Sequence, residues 1–162
     1  MDILFSIGEK VVYPMQGIGV IERIENKMFS GKGKEYTIVK ILSNNLEIMI
    51  PTDRISNSNL RKISDSSTLE NVLFNLTNNN CELKSVPTKE RYKINMDKIK
   101  SGSLKDSAEV VYDLILMNKE KTLNTSEKQL YNTAHKFLVE EVSQIKNITQ
   151  SEATDFLKLS FN

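Results

Sequence analysis

The hydrophobic period of this chain changes near residue 64, and nothing else in the sequence constrains its fold as strongly. Up to about residue 55 the chain is rich in β-branched residues that tend to alternate with polar ones, and it is punctuated by glycine. Beyond residue 64, apolar residues recur at i, i+3, i+4 and i+7. A period of two puts side chains on the two faces of a sheet, whereas a period near 3.6 puts them on one stripe of a helix. The switch therefore predicts an α+β chain in two parts: a small β module over residues 1–58 and an all-α region over residues 64–162. With 162 residues, 39% of them apolar, the chain can fill one ordinary core or two small ones.

Four strands can be drawn in the first part. EKVVYP, Glu9 to Pro14, leads through a corner at Gln16, Gly17, Ile18 and Gly19 into VIERIENKMF, Val20 to Phe29, where the alternation is imperfect. A loop at Ser30-Gly31-Lys32-Gly33, whose two glycines tolerate positive φ, joins this strand to EYTIVKIL, Glu35 to Leu42. Ser43-Asn44-Asn45 then turns the chain into LEIMIP, Leu46 to Pro51, because Asn tolerates the left-handed region. A sheet this short buries one face most readily by curling, which predicts an SH3- or Tudor-like small β barrel.

The second part predicts a bundle of about five helices. Ser67 with Glu70 has capping-box spacing before the stripe Leu69, Val72, Leu73 and Leu76, and Asn78-Asn79-Asn80 ends it. Tyr92, Met96 and Ile99 mark a second helix that stops at Ser101-Gly102. Ser103 with Asp106 opens a third, buried through Leu104, Ala108, Val111, Leu114 and Ile115. Asn124 with Glu127 opens a fourth along Leu130, Ala134, Phe137, Leu138, Val142 and Ile145, and Thr149 with Glu152 a last short one carrying Phe156 and Leu157.

Charge excludes little globally, since 22 Lys plus Arg balance 21 Asp plus Glu. Any attraction to nucleic acid must be local. No stretch approaches the roughly 18 continuous apolar residues of a membrane span, and the opening MDILFSIGEK has no basic region before an apolar run, so a cytoplasmic protein without a membrane partner is expected. One cysteine, Cys81, and one histidine, His135, provide neither an internal disulfide nor the usual zinc ligand sets, so no metal and no cofactor are expected. His135 has no recognisable nucleophile as partner, adjacent Glu140 and Glu141 diverge by about 100° on a helix, and Gly17-Ile18-Gly19 lacks the helix a phosphate loop needs. No catalytic residues are assigned, and an enzyme is the least favoured class.

The segment TKERYKINMDKIKSGSLKD is locally basic. Lys89, Arg91, Lys93, Lys98, Lys100 and Lys105 face only Glu90, Asp97 and Asp106. Such a surface can neutralise phosphates and release counterions, although a solvated helix face is the commoner use of a charge run.

GEKVVYPMQGIGVIERIE at Gly8 to Glu25, KEYTIVKI, the strand ending Ile50-Pro51, RYKINMDKIKSGSLKDSAEVVYDL at Arg91 to Leu114, and NTSEKQL together resemble the CarD/CdnL family of transcription regulators. The first segment alone is also similar to the polymerase-interacting module of transcription-repair coupling factors. The resemblance implies a Tudor-like domain that pairs a strand edge with the β subunit of RNA polymerase. It also implies a helical domain at the upstream edge of the promoter melting region, which contacts DNA largely without regard to sequence and favours the open complex.

Carried over residue by residue, the resemblance puts the polymerase contact at Lys27 and Met49, with Ile48 and Ile50 on the same strand as Met49. Met49 stands where the family usually has a basic residue. The family's tryptophan wedge falls at Thr88, and the chain contains no tryptophan. Threonine cannot unstack a base step; Val86 or Pro87 offers only a partial substitute. The implied backbone contacts are Arg91 and Lys93, with Lys98 and Lys128 as additions; Lys89, from the same basic segment, is also expected to face DNA. A docking adaptor whose helices recruit another protein instead of DNA is the alternative. The lack of a long heptad seam leaves a monomer as the expectation.

Overall fold

The computed structural model describes residues 5–78 and 86–162. Cys81, together with Asn79 and Asn80 of the asparagine run, lies outside the described residues. The chain divides into two compact units, Met1–Ile63 and Ser64–Asn162.

The first unit is a five-stranded antiparallel sheet of β1 (Lys10–Tyr13), β2 (Gly17–Phe29), β3 (Lys32–Ile41), β4 (Glu47–Pro51) and β5 (Arg61–Lys62), in the order β4-β3-β2-β1-β5. Four of these strands coincide with the four drawn from sequence. The fifth, with Val11 opposite Lys62 and Val12 opposite Arg61, is too short to show a period of its own. A single 3-10 turn, Thr52–Asn57, links β4 towards β5.

Two loops differ from the expectation. The β1–β2 corner is made by Met15, at φ 69°, and Gly17, at φ 105°, while Gly17, Ile18 and Gly19 already belong to the ladder opposite Tyr13, Val12 and Val11. Gly19 is a strand glycine because β3 passes so close: a Cβ there would lie 2.7 Å from Val39 Cγ1 and 3.1 Å from the Lys40 carbonyl oxygen. The β2–β3 connection is a two-residue turn, Ser30 (φ 53°) and Gly31 (φ 79°), with Phe29 opposite Lys32. Both central residues have positive φ, as a type I′ hairpin needs, and Gly33 is a strand residue instead of a turn residue.

The imperfect alternation of β2 also has a cause. The register against β3 slips between Ile21 and Arg23, so Ile21 pairs with Val39 but Arg23 with Ile38. One extra residue resets which face each side chain takes, so Ile21 and Ile24, three apart, share the inner face. Val11, Ile21, Val39, Ile41, Ile50, Ile55 and Leu60 fill the core on that face, with Phe5, Tyr13 and Ile48 packed at its margin.

The second unit contains α1 (Ser66–Thr77), α2 (Thr88–Ser101), α3 (Leu104–Glu120), α4 (Thr125–Lys146) and α5 (Gln150–Ser160). α3 is central: Ala108, Val110, Val111 and Leu114 have no exposed surface. The caps were largely legible. The Ser103 and Asn124 side chains accept from the N–H groups of Asp106 and Glu127, and Thr149 with Glu152 closes a reciprocal capping box. Gly102, at φ 73°, ends α2 in the left-handed conformation. At α1 the expectation fails. Its cap is Asp65, whose carboxylate accepts from Thr68 N at 2.8 Å, so Ser67 lies inside the first turn and Glu70 beyond it. A carboxylate serves the positive end of a helix better than a hydroxyl does, and the Thr68 donors hold the Asp65 carboxyl below its usual range.

Candidate docking edge and nucleic-acid interface

β4 forms one margin of the sheet and, among the described residues, has no strand on its outer side. The Ile41 N–H donates to the Leu46 carbonyl at 2.8 Å, which sets the phase of the β3–β4 ladder. In an antiparallel pair the bonded positions alternate, so Ile48 and Ile50 turn their backbone groups towards β3, and Glu47 and Met49 turn theirs outward. The strand offers a partner the N–H and C=O of those two residues. Pro51 follows without a donor.

The four residues expected on the polymerase side thus have different parts. Ile50 is buried in the core and Ile48 packs at its margin, so neither offers a free side chain. Met49 is 40% exposed on the outer face. Lys27 shares that face, since it pairs with Lys34 as Arg23 pairs with Ile38 and Ile38 with Met49. It lies beyond the end of β4, however, and its ammonium is 3.8 Å from Glu25.

Sequence reasoning missed the charged cluster between them. Arg23 reaches across β3 and donates two hydrogen bonds to Glu47, at 3.0 and 3.2 Å, while also pairing with Glu22 and Glu25. Glu47 is held below the usual carboxylate range chiefly by those Arg23 hydrogen bonds. The fork joins β2 to β4, so the orientation of the edge strand is tied to the middle of the sheet. Only the strand pairing, which the sequence does not state, brings Arg23 and Glu47 together.

In the helical unit, α2 divides the basic cluster by its own geometry. Lys89, Lys93 and Lys100 fall within about 40° of one another on an ideal helix. All three are exposed, and none forms an ion pair among the described residues. Lys128, near the start of α4, is likewise exposed. Arg91 and Lys98 belong to the opposite side. The Arg91 guanidinium donates from Nε and Nη2 to the two oxygens of Glu127, at 2.9 and 2.8 Å, and the side chains are only 13% and 3% exposed. Lys98 is 3.0 Å from Glu109, which Lys105 also approaches. Two residues expected to face phosphates are therefore engaged within the fold. Glu127, expected as a capping-box residue, gives its backbone N–H to Asn124 but its carboxylate to Arg91.

Thr88 is the first residue of α2 and is exposed, with Pro87 as a cap that has no side-chain bond to give. It borders a notch of about 320 Å³ between the start of α2, the end of α3 and the start of α4, with Arg91, Met117, Leu123 and Glu127 inside. Further along α2, Asn95 is wholly buried and neither side-chain polar atom has a hydrogen-bond partner among the described residues. His135 stacks on Tyr131, with ring centroids 5.4 Å apart, and is partly buried. Among the described residues no three acidic, histidine or cysteine side chains converge as a metal site, and no helix is long and apolar enough to cross a membrane.

A sheet whose edge is uncovered among the described residues, followed in the same chain by a helical unit, defines a two-module protein. Residues 5–64 match the CarD-like/TRCF RID domain and residues 71–158 match the family described as CarD, C-terminal domain. The chain is also 41% identical over 153 residues to the putative transcription factor YdeB of Bacillus subtilis (strain 168), covering 94% of this chain and 99% of that protein. The chain belongs to the CarD family, a transcription-factor family carrying a polymerase-interacting domain.

Proposed function

We propose that this protein is a non-enzymatic cytoplasmic regulator that docks on the β subunit of RNA polymerase through β4 and touches promoter DNA, at the upstream edge of the melting region, through α2. The observation that carries this reading is the outward backbone of Glu47 and Met49 on an uncovered edge strand. Strand addition there supplies main-chain hydrogen bonds, and the flanking side chains select the partner. With Met49 apolar, charge recognition of the partner falls to Lys27. The Lys89, Lys93, Lys100 and Lys128 ammonium groups supply phosphate contacts without base reading, while Arg91 and Lys98 act inside the fold.

Regulation then follows from linkage. A protein that binds melted promoter more tightly than closed promoter shifts the equilibrium by that difference in affinity. Thr88 supplies no unstacking wedge, so the shift comes from phosphate contacts made while the polymerase holds the protein in place. The direct test is open-complex lifetime on one promoter with polymerase alone, with the native protein, and with Lys89→Glu/Lys93→Glu. A longer lifetime with the native protein, lost in the double variant, is expected. A second reading, a docking adaptor whose helices recruit another protein, is favoured by the internal use of Arg91 and Lys98. It predicts an unchanged lifetime with both proteins, and a gain with Thr88→Trp.

A further inference from the structure

β3 outlasts its neighbour. β4 ends at Pro51 opposite Tyr36, whereas β3 begins four residues earlier, at Lys32. On the β4 side, residues Lys32 to Glu35 have no strand partner among the described residues. The ladder phase decides which of them face outward. The Ile41 N–H bonds towards β4, so alternate positions 39, 37, 35 and 33 share that direction. Gly33, which is exposed, therefore turns its N–H and C=O into the space beyond the end of β4, whereas Glu35 falls opposite Thr52, the residue that follows the strand.

That space is a groove of about 690 Å³. Ile24, Gly33, Lys34, Glu35 and Thr37 line it from the sheet, and Thr52, Asp53 and Ile55 from the 3-10 turn. The turn is tied to the sheet where the Thr37 and Thr52 hydroxyls meet at 2.9 Å. Ile24 is 43% exposed, and Met28, exposed to 69%, leans over Gly33, where a Cβ would be 3.3 Å from its sulfur. Gly33 thus leaves the backbone bare beside an apolar floor. At the rim stand the carboxylates of Glu35 and Asp53, exposed and in no ion pair among the described residues.

We propose that this groove is a second peptide-docking site, which takes an extended segment of a partner protein beyond the end of β4, paired to the backbone of Gly33. The occupant has alternating side chains: an apolar one descends onto Ile24 and Ile55, and a lysine or arginine meets Glu35 and Asp53. Backbone pairing supplies affinity, and the groove and its two carboxylates supply selection. The site differs from the β4 edge used in the polymerase reading, and neither depends on the other.

The test uses the full chain and an acetylated decapeptide alternating valine and lysine, followed by amide NMR. Binding is expected to shift Gly33, Glu35 and Thr52 and to slow exchange of the Gly33 amide at least tenfold. Gly33→Pro removes an outward donor that the β2 ladder does not use, and should weaken binding at least tenfold. Asp53→Lys keeps the backbone intact and should reverse the preference towards a valine–glutamate peptide. The same decapeptide, N-methylated at alternate positions in both registers, should fail. The proposal is overturned by shifts confined to Glu47 and Met49, by no binding at millimolar peptide, or by equal affinity for native and Asp53→Lys protein. Shifts that follow protein concentration without peptide would overturn it too, in favour of a second copy of this chain.

Discussion

Arg91 and Lys93 are two residues apart and were expected to do the same work, yet their surroundings assign them differently. Arg91 holds a carboxylate that is almost wholly out of water, so Arg91→Ala leaves Glu127 buried and unpaired at a cost of about 3–5 kcal/mol. Lys93 is solvated, and Lys93→Glu should change stability by less than about 0.5 kcal/mol while weakening any phosphate contact. Urea unfolding of the two variants separates them. A small loss in Arg91→Ala would show the pair to be open to solvent. His135 gives a pH dependence at the same scale. Burial, and secondly the Lys158 ammonium, lower its imidazole below the ordinary value. The unfolded chain then binds the proton more readily, so the stabilising contribution is complete above the unfolded pKa of about 6.5 and declines as the pH falls below it. Stability between pH 7 and pH 5 should fall less steeply in His135→Gln than in the native protein.

Elements were most legible where their ends carry a local signal. Ser103, Asn124, Thr149 and Gly102 mark helix boundaries by hydrogen bonds or dihedrals that involve only neighbours in sequence, and each performs the role its residue type suggested. Asp65 was missed because Ser67 and Glu70 have the same spacing and the choice rests on which oxygen is the stronger acceptor. β5 is two residues long and exists only because β1 needs a partner on its other side. Gly19 shows the same limit within a strand. Its sequence setting suggests a turn, but the constraint is the passage of β3. Gly19→Ala should cost about 1–3 kcal/mol through forced displacement of Val39 and the Lys40 carbonyl, visible as a lower denaturation midpoint with an unchanged slope. Gly33, where only the flexible Met28 thioether is near, should accept alanine with a much smaller loss.

For the whole molecule, the net charge of +1 hides a local asymmetry that salt should reveal. If Lys89, Lys93, Lys100 and Lys128 carry the phosphate contacts, the DNA-dependent part of binding to a polymerase–promoter complex should have a slope of log K against log salt of about −3 to −4. Titration of the complex at several salt concentrations checks this, and each charge removed from the set should reduce the slope by about one. A slope unchanged by Lys93→Glu would move the contact elsewhere.

Residue order alone was enough to read the α+β class, four strands followed by helices, most helix caps and the family resemblance, because each rests on residues close together in the chain or on their succession. The folded chain adds that Arg91 and Lys98 are paired with carboxylates of the helical unit, that Arg23 holds Glu47, and that Asn95 is buried with no hydrogen-bond partner among the described residues. It also decides that the outward backbone of β4 belongs to Glu47 and Met49, with Ile50 in the core. The physical reason is the same in each case. Charge and hydrophobicity are properties of a residue, but whether a charge meets water, a phosphate or a buried carboxylate depends on a neighbour that is 24 positions away for Arg23 and 36 for Arg91.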